Sequence, residues 1–90
     1  MKYLLFYEGN PAAAGRIPEA YPRHAARIPE FQARGLIMIG PYADRSGALA
    51  IFTGAESARA FAEGDPFVTE GIVASWSIKE WAEAIGAAGA

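Results

Sequence analysis

The segment LIMIGPYADRSGALAIFT, Leu36 to Thr53, decides how this chain folds. It holds two apolar runs, Leu36 to Gly40 and Ala48 to Thr53, on either side of Pro41-Tyr42-Ala43-Asp44-Arg45-Ser46-Gly47. Each run has strand length and strand composition, and the intervening residues are turn formers, so the segment predicts two neighbouring antiparallel strands joined by a hairpin loop. A hairpin in the middle of a chain of 90 residues leaves one flank on each side to supply the rest of the sheet and its cover.

Upstream, the spacing of apolar residues predicts a helix from about Pro18 or Pro22 to Arg34, with Gly35 at the left-handed position that closes it. Pro22 is acceptable in a first turn. Pro29 would fall inside the helix, where proline removes a backbone donor and crowds the preceding turn, so a kink is expected there. Residues 10 to 17 are small, with Gly and Pro among them, and read as a loop. Before them Lys2 to Glu8 is short, aromatic and apolar and ends at Gly9-Asn10-Pro11, which marks the first strand.

Downstream, Glu56 to Glu63 places Ala58, Phe61 and Ala62 on one helical face and closes at Gly64. Asp65-Pro66 opens a turn that ends near Gly71. Ile72, Ala74, Trp76 and Ile78 then alternate with Val73, Ser75, Ser77 and Lys79 as a fourth strand. Residues 1–85 are read as one domain and 86–90 as a flexible tail. The order βαββαβ predicts an α+β, ferredoxin-like fold: a four-stranded antiparallel sheet with two helices on one face. Tyr3, Leu5 and Tyr7 alternate with Leu4 and Phe6, and Leu36 and Met38 with Ile37 and Ile39, so both faces of the sheet are apolar. A second copy of the chain is the simplest cover for the face the helices leave open.

Composition agrees with self-association. Hydrophobic residues make up 52% and charged residues 20% of the sequence, which is rich in apolar side chains for a domain with so little interior. The formal net charge of −2 provides no basic footprint for nucleic acid. The third strand also lacks the stacking aromatics that RNA-binding domains of this topology carry. With no cysteine, neither a disulfide framework nor a thiolate site is available. No apolar run reaches the roughly 20 residues of a membrane span, and the start MKYLLFYEGN lacks the features of a secretory signal, so a cytoplasmic protein is expected.

His24 is the sole histidine. A helical projection sets it in the stripe of Tyr21, Ala25, Ile28 and Phe31, opposite Arg23 and Glu30, so it faces inward. There it is either a general acid or base, or a core histidine bonded to a carbonyl. Asp65 before Pro66 has the form of a helix N-cap; its alternative role is to orient the His24 imidazole. Tyr7 and Tyr42 are candidates to lend hydroxyls to a pocket, or else pack at an interface. Gly40-Pro41 brings backbone close to a ligand or serves only as a turn. A lone histidine with scattered acids does not make a metal site, and none is assigned.

Taken together, the strand MKYLLFYEG, the inward His24 in PRHAARI, Gly40-Pro41 after the second strand, and Asp65-Pro66-Phe67-Val68 before a strand that ends near Trp81 resemble the YciI-like (YCII-related) family. The resemblance implies a ferredoxin-like protomer, commonly dimeric and akin to the dimeric α/β barrels. It also implies an active-site His and Asp pair in a cleft, which here falls on His24 and Asp65, with aromatic residues such as Phe67 shaping the cleft. One branch of the family dehydrochlorinates an aromatic ring without a cofactor. The implied function is therefore a cofactor-independent lyase or isomerase that moves a proton on a small molecule; the alternative is a non-catalytic homodimeric binding or assembly module. Pro29 and the short turn between the second and third strands depart from the family pattern. A cavity beside His24 separates the two readings, since catalysis has no physical basis without one.

Overall fold

The computed structural model describes residues 1–85, so the expected tail at 86–90 lies outside the described residues. Four strands, β1 (Lys2–Gly9), β2 (Leu36–Pro41), β3 (Gly47–Phe52) and β4 (Val73–Trp81), form one antiparallel sheet in the order β2-β3-β1-β4. The first and last strands of the split motif lie side by side, as the ferredoxin-like topology requires. Helices α3 (Ala55–Gly64) and α4 (Pro66–Thr69) form the second crossover.

The first crossover differs from the single kinked helix expected. Residues Pro11–Arg16, read as loop, form a 3₁₀ helix that Asn10 caps through its side chain. It runs into α1 (Ile17–Ala25), a break follows at Ala26 and Arg27, and α2 (Ile28–Gln32) completes the segment. Pro29 is the reason: it has no N–H to give the carbonyl of Ala25, and the chain restarts with Pro29 in the first turn of α2, where a proline costs nothing. Pro22 sits in the second turn of α1 rather than the first. Gly35 does adopt the left-handed conformation, at φ 102°.

Register fixes the two faces of the sheet. Leu5 lies opposite Ala50 and Ile78, and Tyr7 opposite Ala48 and Trp76, so these residues share the face that packs on the helices. Leu5, Tyr7, Ala50 and Phe52 join Phe31, Ala58, Phe61 and Ala62 in the core. The positions between them, Leu4, Phe6, Leu49 and Ile51, with Met38 opposite Ile51, point the other way. No helix among the described residues covers them, and Met38 is 65% exposed. No helix among the described residues is long and apolar enough to cross a membrane.

Candidate active site

Three elements bring the site together. His24 lies in the last turn of α1, Tyr7 near the end of β1, and Asp65 at the junction of α3 and α4. Asp65 is extended, with φ −70° and ψ 126°, and accepts the N–H of Phe67 at 3.0 Å through Oδ1. This is the N-cap that Asp-Pro predicts. The same carboxylate accepts the Tyr7 hydroxyl at 2.7 Å through Oδ2, and His24 Nδ1 lies 3.0 Å from each of its oxygens. Asp65 is wholly buried and His24 is 7% exposed. The capping and orienting roles thus coincide in one side chain, because the cap needs only one lone pair of an oxygen that has two.

The Tyr7 hydroxyl and the Phe67 N–H donate into the carboxylate, and because a carboxylate only accepts, its contact with His24 calls for the ring proton on Nδ1. Nε2 makes no hydrogen bond with the described residues, and no polar side-chain atom among them is both buried and without a partner. The ring is clamped from the sides. Phe67 stacks on it at 4.3 Å between centroids and 10° between planes, and Phe61 meets it edge-on at 5.9 Å. Phe67 is placed by the helix that Asp65 caps, so one carboxylate positions both the imidazole and the aromatic plane against it. Outside, Arg23 of α1 bonds Glu70 just after α4, and Arg16 lies 3.6 Å from the same carboxylate. These exposed ion pairs tie the two helices together but add little to stability.

Beside the imidazole opens a cavity of about 490 Å³, the size of a small-molecule site. His24 and Phe67 line it, as do Tyr7, Pro41 and, at its rim, Tyr21. Tyr21, which was expected within the buried stripe, is 52% exposed. Tyr42 is not among the lining residues. It borders a shallower apolar hollow on the open sheet face with Met38, Leu49 and Ile51. Among the described residues no three His, Asp or Glu side chains converge in a way that could hold a metal ion.

Tyr7 is where sequence reasoning had the residue but not its partner. The alternation already put it on one face with Leu5, without saying which face the helices cover; its bond to a residue 58 positions away was not visible. Burial, and then the neighbouring Asp65 carboxylate, push its phenol well above the usual tyrosine range. A group whose pKa is raised on folding contributes stability that is complete below its unfolded value, about pH 10, and lost as pH rises towards the folded one. Chemical denaturation as a function of pH should therefore show Tyr7→Phe less stable by about 1.5–3 kcal/mol near neutrality. Above pH 10 its stability should fall less steeply than that of the unmodified protein, by up to about 1.4 kcal/mol per pH unit. Parallel alkaline slopes would mean that the Tyr7 hydroxyl is not held this way.

A four-stranded antiparallel sheet with its helices on one face is the ferredoxin-like α+β fold, and here it carries a buried His and Asp pair beside a cavity. The chain belongs to the YCII-related domain family, whose pattern it matches over residues 1–82. No curated protein matches it in sequence. Among solved structures it is similar to a 5-chloro-2-hydroxyhydroquinone dehydrochlorinase from Burkholderia phenoliruptrix, in complex with 2,5-dihydroxybenzoquinone. The two share 21% identity and superpose with a TM-score of 0.76 over 93% of this chain and 96% of that one, a likeness of fold.

Proposed function

We propose that the protein is a cofactor-independent small-molecule enzyme of lyase or isomerase type, in which His24 moves a proton to or from a substrate held in the cavity. One observation carries this reading: the imidazole is fixed through Nδ1 by Asp65, while Nε2 has no partner among the described residues and lies beside a cavity of about 490 Å³. In this scheme Nε2 takes a proton from carbon or oxygen of the substrate and can return it elsewhere on the same molecule, or the substrate can expel a leaving group instead. Asp65 holds the tautomer and stabilises the imidazolium that forms, and Phe67 keeps the ring from turning. The relative's activity makes elimination of hydrogen chloride from a hydroxylated ring the first reaction to try.

The test is to offer the purified protein 5-chloro-2-hydroxyhydroquinone and follow chloride release, and to follow exchange of ring protons in D₂O for hydroxylated rings without chlorine. Catalysed release or exchange that His24→Gln lowers by about 10²–10⁴ supports the reading. If no hydroxylated ring shows either effect, the enzyme reading gives way to the non-catalytic module.

Self-association completes the proposal. The open face of the sheet presents Leu4, Phe6, Leu49, Ile51 and Met38 together, and a second copy related by a two-fold axis would cover this patch with an identical one.

A further inference from the structure

Eight Lys and Arg residues serve a chain whose net charge is negative, and most are engaged. Lys2 pairs with Glu83, Arg16 and Arg23 with Glu70, and Arg34 with Glu30, while Arg27 donates to the carbonyls of Ala60 and Phe61. Among the described residues, four of these side chains make no salt bridge: Arg27, which those carbonyls occupy, and Arg45, Arg59 and Lys79. Of these only Arg45 lines the cavity beside His24, and no Asp or Glu lines it. Among the described residues that line this largely apolar space, Arg45 is therefore the sole one with a permanent charge, and its guanidinium has no acidic partner.

The loop that carries it is held in place. Arg45 has φ 65°, the left-handed region that a residue with a bulky side chain seldom enters. Its N–H donates to the carbonyl of Tyr42 at 2.9 Å, and the N–H of Tyr42 donates to the carbonyl of Gly47 at 2.9 Å. Asp44, the nearest acid in sequence, is occupied: its Oδ1 accepts both the N–H and the hydroxyl of Ser46. The carbonyl of Ser46 in turn accepts the N–H of Gly9, which ties the loop to β1.

We propose that the cavity takes an anionic ligand: a small, mostly apolar molecule with a carboxylate or an ionised ring hydroxyl, whose negative oxygen is held by Arg45 while its apolar body lies against the cavity wall beside His24. The inference rests on the His24 cavity being the ligand site. A guanidinium matches a carboxylate with two parallel N–H donors, and an apolar wall strengthens that attraction by excluding water. The aliphatic and aromatic lining accounts for the body of such a ligand and Arg45 for its charge.

Benzoate and benzamide differ by this charge and little else. The full-length protein is titrated with each, and binding is followed through the ring resonances of His24, which need no assignment because there is one histidine. Both compounds are expected to shift those signals, with benzoate bound about tenfold or more tightly, the effect of one charge-assisted contact. Added salt should weaken benzoate selectively. Arg45→Gln should abolish the preference, and Arg45→Lys, which keeps the charge without the fork, should retain part of it. Equal affinities, or a preference that survives both Arg45→Gln and added salt, overturn the inference and leave the cavity as a site for neutral ligands. If neither compound shifts the His24 signals, the ligand site itself is wrong and the inference falls with it.

Discussion

Glutamate at position 5 and glutamate at position 6 are expected to fail in opposite ways, although the two residues are adjacent on β1. Leu5 is 1% exposed and packs among Ala50, Phe61 and the other core residues under the helices. Leu5→Glu would bury a charge with no partner, at a cost of several kcal/mol or more. A domain of this size has only about 5–10 kcal/mol to lose, so this variant should show no cooperative unfolding transition and should collect in aggregates. Phe6 faces the other side, opposite Leu49 and Ser77, where none of the described elements covers it. Phe6→Glu should keep its circular dichroism and thermal transition and lose only the proposed pairing, sedimenting as a monomer at concentrations where the unmodified protein is expected to sediment as a dimer. Equal tolerance of the two changes would contradict the register. An unmodified protein that is itself monomeric at micromolar concentration would remove the proposed pairing.

Two substitutions at Asp65 should separate its structural role from its chemical one. Asp65→Ala leaves the Tyr7 hydroxyl, the Phe67 N–H and His24 Nδ1 facing a void, and buried donors without an acceptor are costly. A loss of about 3–5 kcal/mol is expected by chemical denaturation. Asp65→Asn keeps the shape. Its carbonyl can still accept from Phe67 N–H and so preserve the cap, but its amide now points hydrogens where Oδ2 stood. The Tyr7 hydroxyl can rotate to accept one. His24 Nδ1 can accept only by giving up its proton, which moves the imidazole to the other tautomer and makes Nε2 a donor. Fold should therefore survive with a loss of about 1–2 kcal/mol, while turnover drops by about 10²–10⁴. The ¹⁵N shifts of the single histidine report the tautomer directly. If they do not change in Asp65→Asn and activity is kept, Asp65 is a helix cap and the acid–base pair should be abandoned.

Much of the architecture is local and was therefore legible. The period-two runs located the four strands to within a residue or two, and the Ala58, Phe61 and Ala62 spacing located α3. The cap before Pro66 and the left-handed Gly35 follow from backbone chemistry that a few neighbouring residues dictate. Where local rules compete, sequence reasoning met its limit. In the first crossover Pro22 is absorbed within α1, whereas Pro29, seven residues later, ends the helix and begins another. The difference lies in what each segment packs against: α1 is held through Ala20 and His24, while α2 restarts to bury Phe31 against the sheet.

From the sequence alone, then, came the strands, the hairpin, the inward His24 and the capping form of Asp65, because periodicity and turn chemistry act over a few residues. The meeting of Tyr7 with Asp65, the exclusion of Tyr42 from the cavity and the placing of Arg45 on its wall were decided only by the tertiary structure. These depend on how β1 pairs with β3 and where the 42–46 loop closes against β1, contacts between residues tens of positions apart that no local spacing records. The chemistry of the site is written in residue types along the chain; its geometry exists only once the sheet has brought three separate segments to one carboxylate.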